Sequence, residues 1–83
     1  MKTWRILARH KWVPGCTITE SVNSSDGSRR FTATIRGWRN WKIYEGDVRK
    51  IDTRSIQRKV LEIRDRIDAN DESIFHENMT ITA

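Results

Sequence analysis

The sequence predicts an α+β fold: a three- to four-stranded antiparallel meander packed on one face by a single amphipathic helix, with a short element in the C-terminal tail. Three observations predict it. Residues 29–36, RRFTATIR, alternate cleanly between apolar and polar side chains, the period of a half-buried strand. Asp26-Gly27 sits between two β-branched runs, a strong hairpin signal. Ile56, Val60, Ile63 and Ile67 recur at spacings of four, three and four, one stripe of a helix. At 83 residues the chain has room for one core, so residues 1–83 are read as one domain. The sheet is placed at about 3–44, the helix at about 53–69 and an acidic tail at 70–83.

In order along the chain, TWRILARHKWV (3–13) has a period of two. Trp4, Ile6, Ala8, His10 and Trp12 fall on one side; Arg5, Leu7, Arg9 and Lys11 fall on the other. Pro14-Gly15 ends this first strand. CTITESVN (16–23) is rich in β-branched residues and forms the second strand, with Cys16, Ile18 and Val22 in register. The third strand, 29–36, turns Phe31, Ala33 and Ile35 inward and Arg30, Thr32, Thr34 and Arg36 outward. Gly37 marks a bend or bulge, and WRNWKIY continues as the rest of a bent strand or a short fourth one. After the turn at Glu45–Asp47, Asp52 or Thr53 caps the helix and Asn70 stops it in the left-handed region. The tail offers a short helix near Ile74-Phe75 or an edge strand at MTIT.

The charge is polarised. The net is +5, but residues 1–44 carry nine cations against Glu20 and Asp26, whereas the last 17 residues hold four acids and neither Lys nor Arg. A basic front half points to an anionic partner. The opening segment, with Lys2, Arg5, Arg9 and Lys11, has no apolar core of a secretory signal, and no apolar run is long enough for a membrane span. With a single cysteine, Cys16, a reducing cytoplasmic setting is expected, without membrane association.

Chemistry-bearing motifs are sparse. His10, Cys16 and His76 lack any metal-ligand spacing, no glycine-rich phosphate loop is present, and nothing pairs a nucleophile with a base. The chain is read as a binding protein, not an enzyme, with no cofactor. The basic and aromatic residues are more informative. A meander gathers Arg5, Arg9 and Lys11 from the first strand and Arg30 and Arg36 from the third onto one face. Like charges placed opposite one another cost stability, a cost more readily tolerated where an anion uses the patch. The bland alternative is a solvated face that keeps a sheet edge from aggregating.

Trp38 and Trp41 have opposite strand parity. Trp41 is assigned to the core with Phe31, Ala33 and Ile35, and Trp38 to the exposed side beside Arg36, Arg39 and Lys42; a bulge at Gly37 would exchange them. The helix begins with Arg54, Arg58 and Lys59 and ends with Asp65 and Asp68, opposite to the order its dipole favours, so a polyanion near its start is a second expectation. Asp68, Asp71, Glu72 and Glu77 are expected to fold back over the basic face and compete with that anion.

The expected function is nucleic-acid binding, DNA in particular, in the manner of a small phage-like regulator. The candidate contacts are Arg5, Arg9, Lys11, Arg30, Arg36, Trp38, Arg39, Lys42, Arg54 and Arg58. The alternative is an interaction module or inhibitor that grips an acidic protein surface. A homo-oligomer through an edge strand, such as CTITESVN, or through the C-terminal tail is compatible with either. The element order resembles that of several nucleic-acid modules, among them the arm-site DNA-binding domains of phage-type integrases. That likeness is one of element order alone.

Overall fold

The computed structural model of the protein describes residues 3–82; Lys2, one of the cations of the opening segment, lies outside them. Four strands, β1 (Trp4–His10), β2 (Cys16–Asn23), β3 (Arg29–Ile35) and β4 (Asn40–Gly46), form one antiparallel sheet in the order β1-β2-β3-β4. A 16-residue helix, α1 (Thr53–Asp68), packs on one face through β3 and β4. The expected fold class is therefore the observed one, and WRNWKIY provides a true fourth strand. Gly37 does not bulge it. Arg36 and Gly37, at φ 54° and 77°, instead make a tight turn between β3 and β4.

The alternation in β3 decides which face is covered. Phe31, Ala33 and Ile35 are buried, as are Cys16 and Ile18 on β2 and Trp41, Ile43 and Tyr44 on β4. Ile56, Val60 and Ile63 of α1 close this core, while Ile67 packs at its margin only half-buried. Ile74 and Met79 of the tail are buried in it as well. Trp41 is thus the core tryptophan and Trp38 the exposed one, at 54%.

Two register shifts alter the faces. Between Phe31 and Thr32 the β4 partners jump from Tyr44 to Lys42, so Ile43 is the extra residue and both Ile43 and Tyr44 are buried. In β1 the shift falls between Ile6 and Ala8 and leaves Leu7 unpaired. Ala8 and His10 stay on the helix side, but Trp4 and Ile6 swing to the open side and Arg5 swings off it, in register with Val22. The expected grouping of Trp4 and Ile6 with Ala8 and His10 is therefore wrong: one extra residue inverts parity for everything before it.

Local signals set the ends of the elements. Asp52 caps α1 by accepting from the Ser55 amide at 2.8 Å. Asn70, at φ 58°, closes it in the left-handed conformation, with the Asn70 amide on Ile67 O and the Asp71 amide on Arg66 O. The tail then forms a 3-10 turn at Glu72–Phe75. Beyond it the chain passes along β4, where the Ile81 amide donates to Ile43 O at 2.7 Å and the Thr80 hydroxyl to Lys42 O at 2.8 Å. β2 is interior and paired on both sides, which removes CTITESVN as an edge for oligomerisation. β1 is the open edge and the tail lies on the other. Among the described residues no helix is long and apolar enough to cross a membrane.

Candidate nucleic-acid interface

The face of the sheet away from α1 is built from the alternate residues of all four strands. One row crosses it completely: Arg9 pairs with Thr19, Thr19 with Thr32, and Thr32 with Lys42. A second row runs Ile6, Ser21, Arg30, Glu45, and a third runs Thr17, Thr34, Asn40. The centre of the face is thus a bed of Thr and Ser hydroxyls on β2 and β3. β-Branched Thr suits a strand and leaves a donor and acceptor pointing to solvent. The cations lie around this bed: Arg9 at the β1 edge, Lys42 on β4, Arg30 at one end, and Lys11 just past β1, bonded to the Thr17 hydroxyl at 2.5 Å.

Arg30 is held from two sides. Its guanidinium carbon lies 3.9 Å from the centroid of the Trp4 ring, and its Nε donates to Glu45 at 3.1 Å. Stacking and a carboxylate on one edge pre-order the fork and reduce the entropy lost when a further anion binds. Glu45 also lies 3.9 Å from Lys42 Nζ. It is the one acid that the strand pairing puts on this face, so four cations face a single carboxylate. Arg9 makes no ion pair among the described residues.

The sequence-predicted set separates. Arg9, Lys11, Arg30 and Lys42 come together. Arg5 is carried to the other side by the shift at Leu7. Arg36 leaves as well: its left-handed backbone aims the guanidinium at the end of α1, where it donates to Asp68 at 3.1 and 3.3 Å. Trp38 is exposed, but beside the helix end and tail, with its ring 6.1 Å from Phe75 and Asp71 and Glu72 nearby. Arg39 lies over Trp41 and Phe75, at 5.3 and 5.0 Å, and donates to Phe75 O. Arg54 and Arg58 are on the solvent side of α1, across the molecule from the open sheet face.

The acidic tail does not cover the basic face. Arg66 binds it at the helix end, donating to Asp71 at 2.9 Å and to Glu77 at 2.7 and 2.8 Å. The hydroxyl of Ser73 and the Arg66 guanidinium together hold the Asp71 carboxyl at about 2, well below its ordinary 3.8. Competition between tail and ligand is therefore replaced by a local clamp.

Trp4 is the contact that sequence reasoning missed. Its alternation with Ala8 and His10 assigns it to the core side, and only the unpaired Leu7 corrects this; no residue in WRILARH marks the shift. On the helix side, Glu20 accepts from His10 at 2.9 Å and from Arg29 at 3.0 Å, and His10 stacks on Trp12 at 4.0 Å. Burial pushes the Cys16 thiol upward, which keeps it protonated and a poor nucleophile. Among the described residues no group of three His, Cys, Asp or Glu could hold a metal ion. No family model, curated protein or solved structure matches the chain.

Proposed function

We propose that the protein binds nucleic acid, duplex DNA in particular, through the helix-free face of its sheet, as a binding module rather than an enzyme. The observation that supports this most is the row Arg9–Thr19–Thr32–Lys42, with cations at its ends and hydroxyls between them. Three strand spacings of about 4.8 Å set the two ends about 14 Å apart. A major groove is about 12 Å wide. Arg9 and Lys42 can then meet phosphates on the two walls while Thr19 and Thr32 face base edges between them. Lys11 and Arg30 add phosphate contacts along the groove, and Trp4 steadies Arg30. Phosphate pairing supplies most of the affinity and register, and the hydroxyls contribute modest sequence preference. A cytoplasmic setting belongs to this reading, on the strength of the single buried Cys16.

The test is a titration of a labelled duplex at several salt concentrations. Four phosphate contacts give log K a slope against log salt of about −3 to −4, and Arg9→Ala or Lys42→Ala makes it shallower by about 0.9. Arg36→Ala, whose guanidinium is held by Asp68, leaves the slope unchanged. If wild type binds neither duplex nor single strands at low salt, the proposal fails and the cations of this face belong to an acidic protein partner.

A further inference from the structure

The solvent side of α1 carries a second regular pattern. Arg54, Arg58, Leu61, Asp65 and Asp68 are all exposed and follow one another at spacings of four, three, four and three. These are the spacings of a coiled-coil seam. The stripe lies opposite the buried Ile56, Val60 and Ile63, and its middle is an apolar Leu61 left 40% exposed. Its charges are sorted: bases before Leu61, acids after it. This order runs against the helix dipole, so the isolated helix gains nothing from it.

Symmetry accounts for the order. We propose that α1 pairs with α1 of a second copy, antiparallel, about a two-fold axis through Leu61. Seven residues separate Arg54 from Leu61, and seven separate Leu61 from Asp68. At about 1.5 Å per residue both lie about 10.5 Å from the axis, so the two-fold brings Arg54 level with Asp68 of the second copy. Arg58 and Asp65 lie about 4.5 and 6 Å from the axis on opposite sides, an axial offset of about 1.5 Å that an arginine spans easily. Leu61 meets its own copy. A parallel pairing would set arginine on arginine and aspartate on aspartate, and only the antiparallel one joins opposite charges and opposed dipoles.

Two further observations support this surface. A groove runs beside the stripe, floored by Trp12, Val13 and Pro14 and bounded by Arg54, Arg58 and Leu61, which gives the second helix an apolar bed. Arg54 and Arg58 make no ion pair among the described residues, whereas Lys59, Arg64 and Arg66 of the same helix all have carboxylate partners. Asp65 and Asp68, themselves exposed, are held by Arg64 at 3.2 Å and Arg36 at 3.1 Å and retain open acceptor positions.

Sedimentation equilibrium of the full chain without nucleic acid tests this, from about 1 μM to about 1 mM, the span of weak specific association. The mass should rise from 9.8 kDa toward twice that value, and less steeply in high salt. Arg58→Glu and Asp65→Lys should each raise the dissociation constant about tenfold, since the axis doubles each contact and turns attraction into repulsion. The double variant Arg58→Glu/Asp65→Lys restores the opposite charges and should return to within about threefold of wild type. Unchanged circular dichroism keeps loss of fold apart from loss of pairing. A wild type monomeric throughout overturns the proposal. So does a dimer indifferent to Arg58→Glu, or one that the double variant fails to restore. None of these outcomes bears on nucleic-acid binding by the other face.

Discussion

Ile63→Ala removes three carbons from the middle of the apolar contact between helix and sheet. Ile63 is fully buried, at 0% exposure, within a cluster that includes Phe31, Ile35, Trp41, Val60 and Ile74. Deleting this much of a packed side chain costs about 2–5 kcal/mol, the upper part applying where neighbours cannot collapse into the space. The neighbours here are β-branched or aromatic and anchored in strands, which limits collapse. A domain of 83 residues has a total stability of about 4–12 kcal/mol, so this one substitution takes a large share of it. Urea unfolding followed by tryptophan fluorescence reads the effect: with a slope near 1 kcal/mol per molar, the midpoint falls by about 2 M or more. Leu7→Ala is the matched control, since Leu7 is the unpaired bulge residue and 42% exposed; its cost stays under about 1 kcal/mol. If Ile63→Ala moves the midpoint by less than Leu7→Ala, the stripe Ile56–Val60–Ile63 is not what holds the helix to the sheet.

Two further perturbations probe local devices. Gly46, at φ 156°, would place an added Cβ 2.9 Å from the hydroxyl of the buried Tyr44, which donates to Asp47 O; Gly46→Ala therefore costs about 1–3 kcal/mol in thermal unfolding, whereas Gly27→Ala, at φ 75° in open space, carries only the backbone cost of about 1 kcal/mol. The clamp of Arg66 on the tail depends on pH. The folded Asp71 value, about 2, is below the ordinary 3.8, so its stabilising effect is complete above 3.8, fades as pH falls, and is lost through about 2; amide protection of Ile81 should weaken across that window, and Arg66→Gln should reduce the pH dependence while the part held by Ser73 remains.

Much of the fold is legible in local pattern because the pattern and the packing agree. Phe31, Ala33 and Ile35 alternate over a helix stripe of matching width; Asp26-Gly27 and Pro14-Gly15 turn the chain where strands end; Asp52 and Asn70 bound the helix. Trp41 follows from parity because the glycine bend at 37 precedes β4 rather than interrupting it. The candidate face is less legible, and for one physical reason. Parity carries across a strand only while every residue is paired, and Leu7 is not. Its insertion exchanges Arg5 for Trp4 on the open face. Arg36 is lost differently: one left-handed residue at the strand end redirects it to Asp68, a partner 32 residues away that no local pattern announces. Glu45 joins the face only because β4 exists as a separate strand with its own register shift. The sorted charges of α1, by contrast, are fully visible in sequence, but their spacing acquires meaning only when the buried side of the helix is known.

The central claim is that the ligand lies on the open face of the sheet, and amide chemical-shift mapping during titration with a short duplex tests it most directly. Arg9, Lys11, Thr19, Arg30, Thr32 and Lys42, which share that face, should shift together and saturate at one stoichiometry, with the indole resonance of Trp4 moving alongside them. The buried Val60 and the α1 stripe Arg54, Arg58 and Asp65 should remain still at protein concentrations too low for self-association. Shifts centred on Arg54 and Arg58, or on Trp38 and Arg39, with Thr19 and Thr32 unmoved, would contradict the account.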